Sequence, residues 1–251
     1  MGVGGSARAD DVRAFWRRVE RYAPGAEVRH EQDTGSAKQL IIVSGWACDL
    51  RILPDGRRQI FSFLLPGDLI EARDAQGVGL RGVVALTRLE VVDFARQLAA
   101  DTEQREILVR ALNSAMLRRE ERLYDNLMRM GRLTAKERVI HLLLELRERL
   151  DRIGLADGGA FKIPLTQEIF ADALGLSVVH INRTLKLLRR EGSVCIRSGF
   201  VTMQDPEKLA SLSCYVSQCG NLDDALRQAV NAGELDTPYR SHAATGLRWH
   251  S

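Results

Sequence analysis

Long apolar runs are missing from these 251 residues. The longest, such as Leu40-Ile41-Ile42-Val43 and Leu142-Leu143-Leu144, fall far short of the roughly 20 residues that cross a bilayer, so no membrane-spanning helix is expected. Cysteine is scarce as well. Cys48, Cys195, Cys214 and Cys219 are too few and too scattered for a disulfide framework, which predicts a reducing, cytoplasmic compartment. The opening segment lacks an apolar stretch behind a basic end, so a secretory signal is not expected. A dominant charge of one sign is absent too: the formal net charge is +3. No nucleophile, base and orienting group stand together in a recognisable set, so no catalytic residue and no enzyme activity is predicted.

What is present is ordinary globular material, 45% hydrophobic and 27% charged, long enough for one large or two medium domains. The charge is unevenly distributed. Residues 1–99 carry 14 basic and 13 acidic groups, whereas 131–203 carry 12 and 8. Within the latter, Ser177–Arg190 holds Arg183, Lys186, Arg189 and Arg190 and no acidic residue, a local positive surface that needs an anionic partner or open solvent.

Asp10–Tyr22 has apolar residues at helical spacing (Val12, Phe15, Trp16, Val19) and ends at Pro24-Gly25, which predicts a short amphipathic helix. From Val28 to about Phe94, short runs rich in Val, Ile and Phe are broken by Pro54-Asp55-Gly56, Leu65-Pro66-Gly67-Asp68 and Gly77-Val78-Gly79. That pattern predicts an antiparallel sandwich or barrel of six to eight strands. Arg58–Leu64 is apolar on nearly both faces and reads as a central, covered strand. Beyond Asp101 some thirty residues run helical without proline or glycine until Gly131, with Leu108, Leu112, Ala115, Leu123 and Leu127 on a stripe that Arg119 interrupts. Such a helix would span about 40 Å, more than one sheet needs for cover. It either lies across its own sheet or pairs with a second copy across a two-fold axis. Thr134 then caps a further helix, Ala135–Arg152.

Leu165–Gly192 is the most specific stretch. Thr166 is a fitting N-cap, Gly175 a stop, and Ser177 a second cap, with Ile181, Leu185 and Leu188 facing back: two short helices joined by a glycine-containing turn. Ser193–Arg197 and Phe200–Met203 flank Ser198-Gly199 and predict a hairpin wing. In a winged helix-turn-helix the second helix enters the major groove of duplex DNA, with its first residues at base edges and its flanks on phosphate. Ser177, Val179, His180, Asn182 and Arg183 stand in the first half of that helix. Lys186, Arg189 and Arg190 follow, placed for phosphate or simply solvated.

The order of parts, together with FLLPGDLI (Phe63–Ile70) and GLSVVHINRTLKLLRREG (Gly175–Gly192), resembles the Crp/Fnr superfamily of bacterial transcription regulators, over roughly residues 25–210 and most strongly over 134–203. The resemblance implies an α+β chain: an N-terminal helix and antiparallel, jelly-roll-like β-roll sensor (1–100), a dimerisation helix (101–131) and a winged helix-turn-helix (132–204). A C-terminal extension (205–251) allows helices at Glu207–Ser217 and Leu222–Ala232. It further implies a homodimer on a palindromic operator, with RNA polymerase as a partner. Arg183 falls on the family's base-reading arginine. Val179 stands where many members carry glutamate, which leaves the usual half-site preference open.

The sensor departs from the family's ligand-binding patterns. Gly67-Asp68 and Glu71 resemble the start of a cyclic-nucleotide site, but the stretch GVGLRGVVALT (Gly77–Thr87) offers only Arg81, and the Gly82-Val83 that follow supply no hydroxyl, so cyclic nucleotide binding is not expected. No cysteine precedes Cys48, against an iron–sulfur cluster. His30 and His141 are isolated, against haem, and no metal site or other cofactor is predicted. Cys214 and Cys219 read as ordinary thiols. Cys195, in the wing, is either structural or a redox position whose oxidation would disturb DNA contact. The rival reading is a ligand-binding or signalling module whose C-terminal helices bind protein.

Overall fold

The computed structural model describes residues 19–28, 38–72, 81–93, 105–157 and 159–217. Packing divides the chain into two compact units, Met1–Asn126 and Leu127–Ser251.

Among the described residues the first unit holds seven strands: β1 (Glu20–Tyr22), β2 (Lys38–Ser44), β3 (Ala47–Ile52), β4 (Arg58–Leu64), β5 (Leu69–Ala72), β6 (Arg81–Ala85) and β7 (Leu89–Asp93). They form two antiparallel sheets, ordered β1-β7-β2-β5 and β4-β3-β6. Val28, Leu40, Ile42, Ala47, Leu64, Ile70, Ala85, Leu89 and Val91 make one apolar core. The Pro-Gly-Asp turn folds as its residues dictate. Pro66 fixes φ, Gly67 takes a φ of +87°, the amide of Asp68 donates to the carbonyl of Leu65 (2.9 Å), and the Asp68 carboxylate accepts from the Leu65 amide (2.8 Å).

Two sequence expectations fail in this unit. The end of the predicted helix Asp10–Tyr22 is strand β1: Glu20–Tyr22 pair with Leu89–Val91, Arg21 bonds Glu90 (2.9 Å), and Tyr22 packs on the roll core. Edge pairing outweighs the helical spacing there, and the rest of that helix lies outside the described residues. Among the described residues, strand β4 is at a sheet edge, beside β3 alone, rather than central. Its doubled apolar face comes from a bulge: the register shifts between Asp49 and Leu50, with Ser62 opposite the first and Ile60 opposite the second, so Ile60 and Phe63 are both buried.

Helix α1 (Arg105–Arg132) is 28 residues long, about 42 Å, and continues through Gly131. Arg119, the residue that breaks the apolar stripe, pairs with buried Asp49 of β3 (3.3 Å), and Arg122 pairs with Asp68 of the Pro-Gly-Asp turn (3.2 Å).

The second unit holds α2 (Ala135–Arg152), β8 (Ala156–Asp157), β9 (Ala160–Lys162), α3 (Gln167–Leu174), α4 (Val178–Arg190), β10 (Val194–Arg197), β11 (Phe200–Met203) and α5 (Pro206–Leu212). The four strands form a third antiparallel sheet, β10-β11-β9-β8. The hairpin β8–β9 was not anticipated, because strands of two and three residues are too short to show alternation. Thr134 and Glu137 make a reciprocal capping box that starts α2, whose Val139, Ile140, Leu142, Leu143, Leu146 and Leu150 are buried. Helix α5 is shorter than the expected Glu207–Ser217. Cys214 turns to a φ of +52°, and the Tyr215 amide bonds back to Ala210 (2.9 Å), closing the helix as a Schellman turn. Leu222–Ala232 and Gly233–Ser251 lie outside the described residues.

Candidate nucleic-acid interface

Local chemistry sets the two helices of the helix-turn-helix. The Thr166 hydroxyl accepts from the Ile169 amide (3.3 Å) and starts α3; Gly175, at φ +60°, ends it. The left-handed backbone disfavours any side chain at Gly175, where a Cβ would meet only the end of the flexible Met130 side chain. Two residues on, the Ser177 hydroxyl accepts from the His180 amide (3.2 Å) and starts α4. Ile181, Thr184 and Leu188 turn inward, with Phe170, Ala171, Ala173 and Leu174 of α3 buried beside them.

The opposite face of α4 is open. Val179, His180, Arg183, Lys186, Leu187 and Arg190 are exposed within about 60° of one line along the helix, and the N-cap Ser177 and Arg189, each about 120° from that line, are exposed as well. Among the described residues Arg183, Lys186, Arg189 and Arg190 have no ion-pair partner, and α4 itself carries no carboxylate. Four cationic groups thus stand unneutralised on one short helix. A shallow cavity of about 330 Å³, lined by residues including Thr166, Gln167, Asn182, Lys186 and Arg189, lies between the start of α3, α4 and the wing.

Asn182 behaves differently from its neighbours. It is half-buried, and its amide donates to Gln167 of α3 (3.0 Å), so one of the groups expected to meet bases is engaged in holding the two helices together. Leu187, one turn beyond Arg183 on the outer face, was not anticipated; the same helical spacing that places Arg183 would have found it.

The wing turns at Ser198 (φ +49°) and Gly199 (φ +77°), a two-residue loop matched to strand twist. It is held to the approach to α3 by the Ile163 amide, which donates to Gly199 (2.8 Å). Arg197 and Phe200 are exposed at the tip, with the Lys162 ammonium 5.5 Å from the Phe200 ring. Cys195 is half-buried on β10 opposite Thr202.

Behind this surface lie polar contacts that periodicity does not reveal. The Arg138 guanidinium donates to three carbonyls, those of Leu133 (2.8 Å), Met130 (2.9 Å) and Leu174 (3.1 Å). It thereby satisfies the C-terminal ends of α1 and α3 together. Arg129 is buried, ion-paired with Glu145 and donating to Nδ1 of His141 (3.3 Å). Burial, reinforced by the Arg129 charge and opposed by Glu145, pushes the His141 pKa down to about 4. The Tyr215 ring meets His141 edge-on at 5.0 Å, and its hydroxyl donates to Glu148 (2.6 Å); burial and that carboxylate hold the phenol protonated.

Of the stripe on α1, Leu112, Ala115 and Leu123 are half-buried, Leu127 is 68% exposed, and the Leu108 side chain lies outside the described residues. Val109 (39%), Met116 (46%), Leu117 and Tyr124 are also exposed. Val109, Met116 and Leu127 fall within about 20° of one line, with Leu123 beside it and Ala115 about 100° away. Among the described residues no group of three His, Cys, Asp or Glu side chains is arranged to hold a metal, and no helix is long and apolar enough to cross a membrane. His30, Cys219, the Gly77–Gly79 turn and the Arg81 side chain lie outside the description.

A capped helix pair with a bare cationic outer face, followed by a hairpin wing, defines a DNA-binding regulator of the winged helix-turn-helix class. Residues 137–212 match the Crp-like helix-turn-helix domain. The chain is 31% identical over 219 residues to the nitrogen fixation regulation protein FixK of Bradyrhizobium diazoefficiens, covering 84% of this chain and 89% of that one. It is 28% identical to the transcriptional activatory protein AadR of Rhodopseudomonas palustris, covering 85% and 89%. The solved structure of FixK2 from Bradyrhizobium japonicum superposes with a TM-score of 0.63 at 24% identity, over 80% of this chain and 98% of that one. The chain belongs to the Crp/Fnr superfamily of DNA-binding transcription regulators.

Proposed function

We propose that the protein acts in the cytoplasm as a homodimer on a palindromic operator, with no catalytic step of its own and with RNA polymerase as its downstream partner. Residues 1–100 serve as the sensor, 101–131 as the dimerisation helix, 132–204 as the DNA reader and 205–251 as an extension. The observation that carries this reading is the unneutralised outer face of α4. Arg183 offers a planar fork to guanine O6 and N7, Ser177, Val179 and His180 border it, and Lys186, Arg189 and Arg190 meet phosphate. Asn182 contributes by fixing α4 against α3. The exposed apolar line Val109, Met116 and Leu127, with Leu123 beside it, supports pairing of α1 with its copy.

Duplex binding as a function of salt tests the reading. Three phosphate-facing cations on each of two protomers predict that log K falls with log salt at a slope of about −5. A slope near zero, or equal affinity for a neutral protein partner, would support the protein-binding alternative.

A further inference from the structure

We propose that Val179 makes this regulator select thymine, through its 5-methyl group, within about two base pairs of the guanine read by Arg183. The inference rests on the operator-reading role of α4 proposed above. Val179 is 70% exposed, the most exposed apolar side chain on α4. It stands one turn before Arg183 on the same face, about 6 Å along the helix axis, a distance that covers about two base pairs at 3.4 Å each.

Its chemistry decides which base suits it. An isopropyl group has neither donor nor acceptor. Pressed against the amino edge of cytosine or adenine, or against guanine O6, it would strip water from a polar atom and return no hydrogen bond. Thymine alone presents a methyl group in the major groove. The β-branched side chain is stiff, so little rotamer freedom is lost when it docks. No carboxylate on α4 competes by drawing a cytosine amino group to the same place.

The test uses the full-length protein and an operator obtained by selection from random duplexes. Thymines in both half-sites are replaced in turn by deoxyuridine, which removes the methyl and leaves every hydrogen-bonding group in place. Affinities are measured by fluorescence anisotropy for the parent, Val179→Ala and Arg183→Ala. One thymine per half-site should respond, with about fourfold weaker binding by the parent for each methyl removed and about fifteenfold for both. The same replacement should leave Val179→Ala unaffected, and Val179 is too exposed for that variant to disturb the fold. If no deoxyuridine replacement weakens the parent, or Val179→Ala shows the full penalty, the inference is overturned. When that happens while Arg183→Ala still loses a guanine preference, the operator-reading role stands and only thymine selection falls. If the parent selects no sequence at all, both fall.

Discussion

Acidification should destabilise the second unit through one side chain, His141. It is 1% exposed, enclosed by Arg129 of α1, Glu145 on its own helix and the Tyr215 ring. Its pKa in the folded protein is about 4, against 6.5 for a free imidazole. Because the folded value is the lower one, the unfolded chain binds a proton that the folded chain refuses. The stability this contributes is fully present above pH 6.5 and is lost as pH falls toward 4. Between pH 7 and pH 5 the loss works out at about 2 kcal/mol. Carboxylates remain largely ionised over that range, so few other groups contribute. The comparison is with His141→Gln, whose amide oxygen can still accept from Arg129 but cannot titrate. Urea unfolding of the full chain, followed by circular dichroism at 222 nm, should show the parent losing roughly 1 M more in midpoint than the variant between the two pH values. Equal losses would refute the argument, because they would mean that His141 is protonated in the folded protein or lies open to water.

Gly175→Ala should destabilise the helix-turn-helix by about 1–2 kcal/mol, from the left-handed backbone alone, read as a lower urea midpoint; the Met130 methyl that the new Cβ would meet can swing aside and adds little. Met116→Glu combined with Leu127→Glu should turn a dimer into monomers in sedimentation and weaken operator binding by more than tenfold, and Leu123→Glu should act in the same direction; an unchanged dimer would move the interface away from α1. Calorimetric titration with cyclic AMP or cyclic GMP should return no micromolar binding and no gain in operator affinity, since Gly82-Val83, directly after Arg81, supply no hydroxyl.

Much of the second unit is legible in its sequence because its punctuation is local. Thr134, Thr166 and Ser177 cap the helices that they precede, and Gly175 and Ser198-Gly199 bend the chain where the spacing demands. The open face of α4 was equally readable from charge and a period of 3.6. The parts that escaped depend on partners distant in sequence. Glu20–Tyr22 become a strand only because Leu89–Val91 offer an edge, and the bulge in β3–β4 gives an edge strand the burial pattern of a central one. Arg138 meets Leu174 36 residues away, and Arg129 meets Glu145 across a helix break; no periodicity marks such contacts. On α1 the line Val109, Met116 and Leu127 is exposed while Ala115 is half-buried, because α1 turns another side to Asp49 and Asp68 of the roll through Arg119 and Arg122.

The central claim is that the outer face of α4 reads sequence. It is tested most directly by measuring the affinity of the parent and of Arg183→Ala for a selected operator in which each half-site position carries each of the four base pairs in turn. The account predicts one position per half-site at which the parent prefers guanine by about 1–3 kcal/mol and Arg183→Ala is indifferent, with the salt slope nearly unchanged. Full retention of the parent's preferences at every position by Arg183→Ala would contradict it.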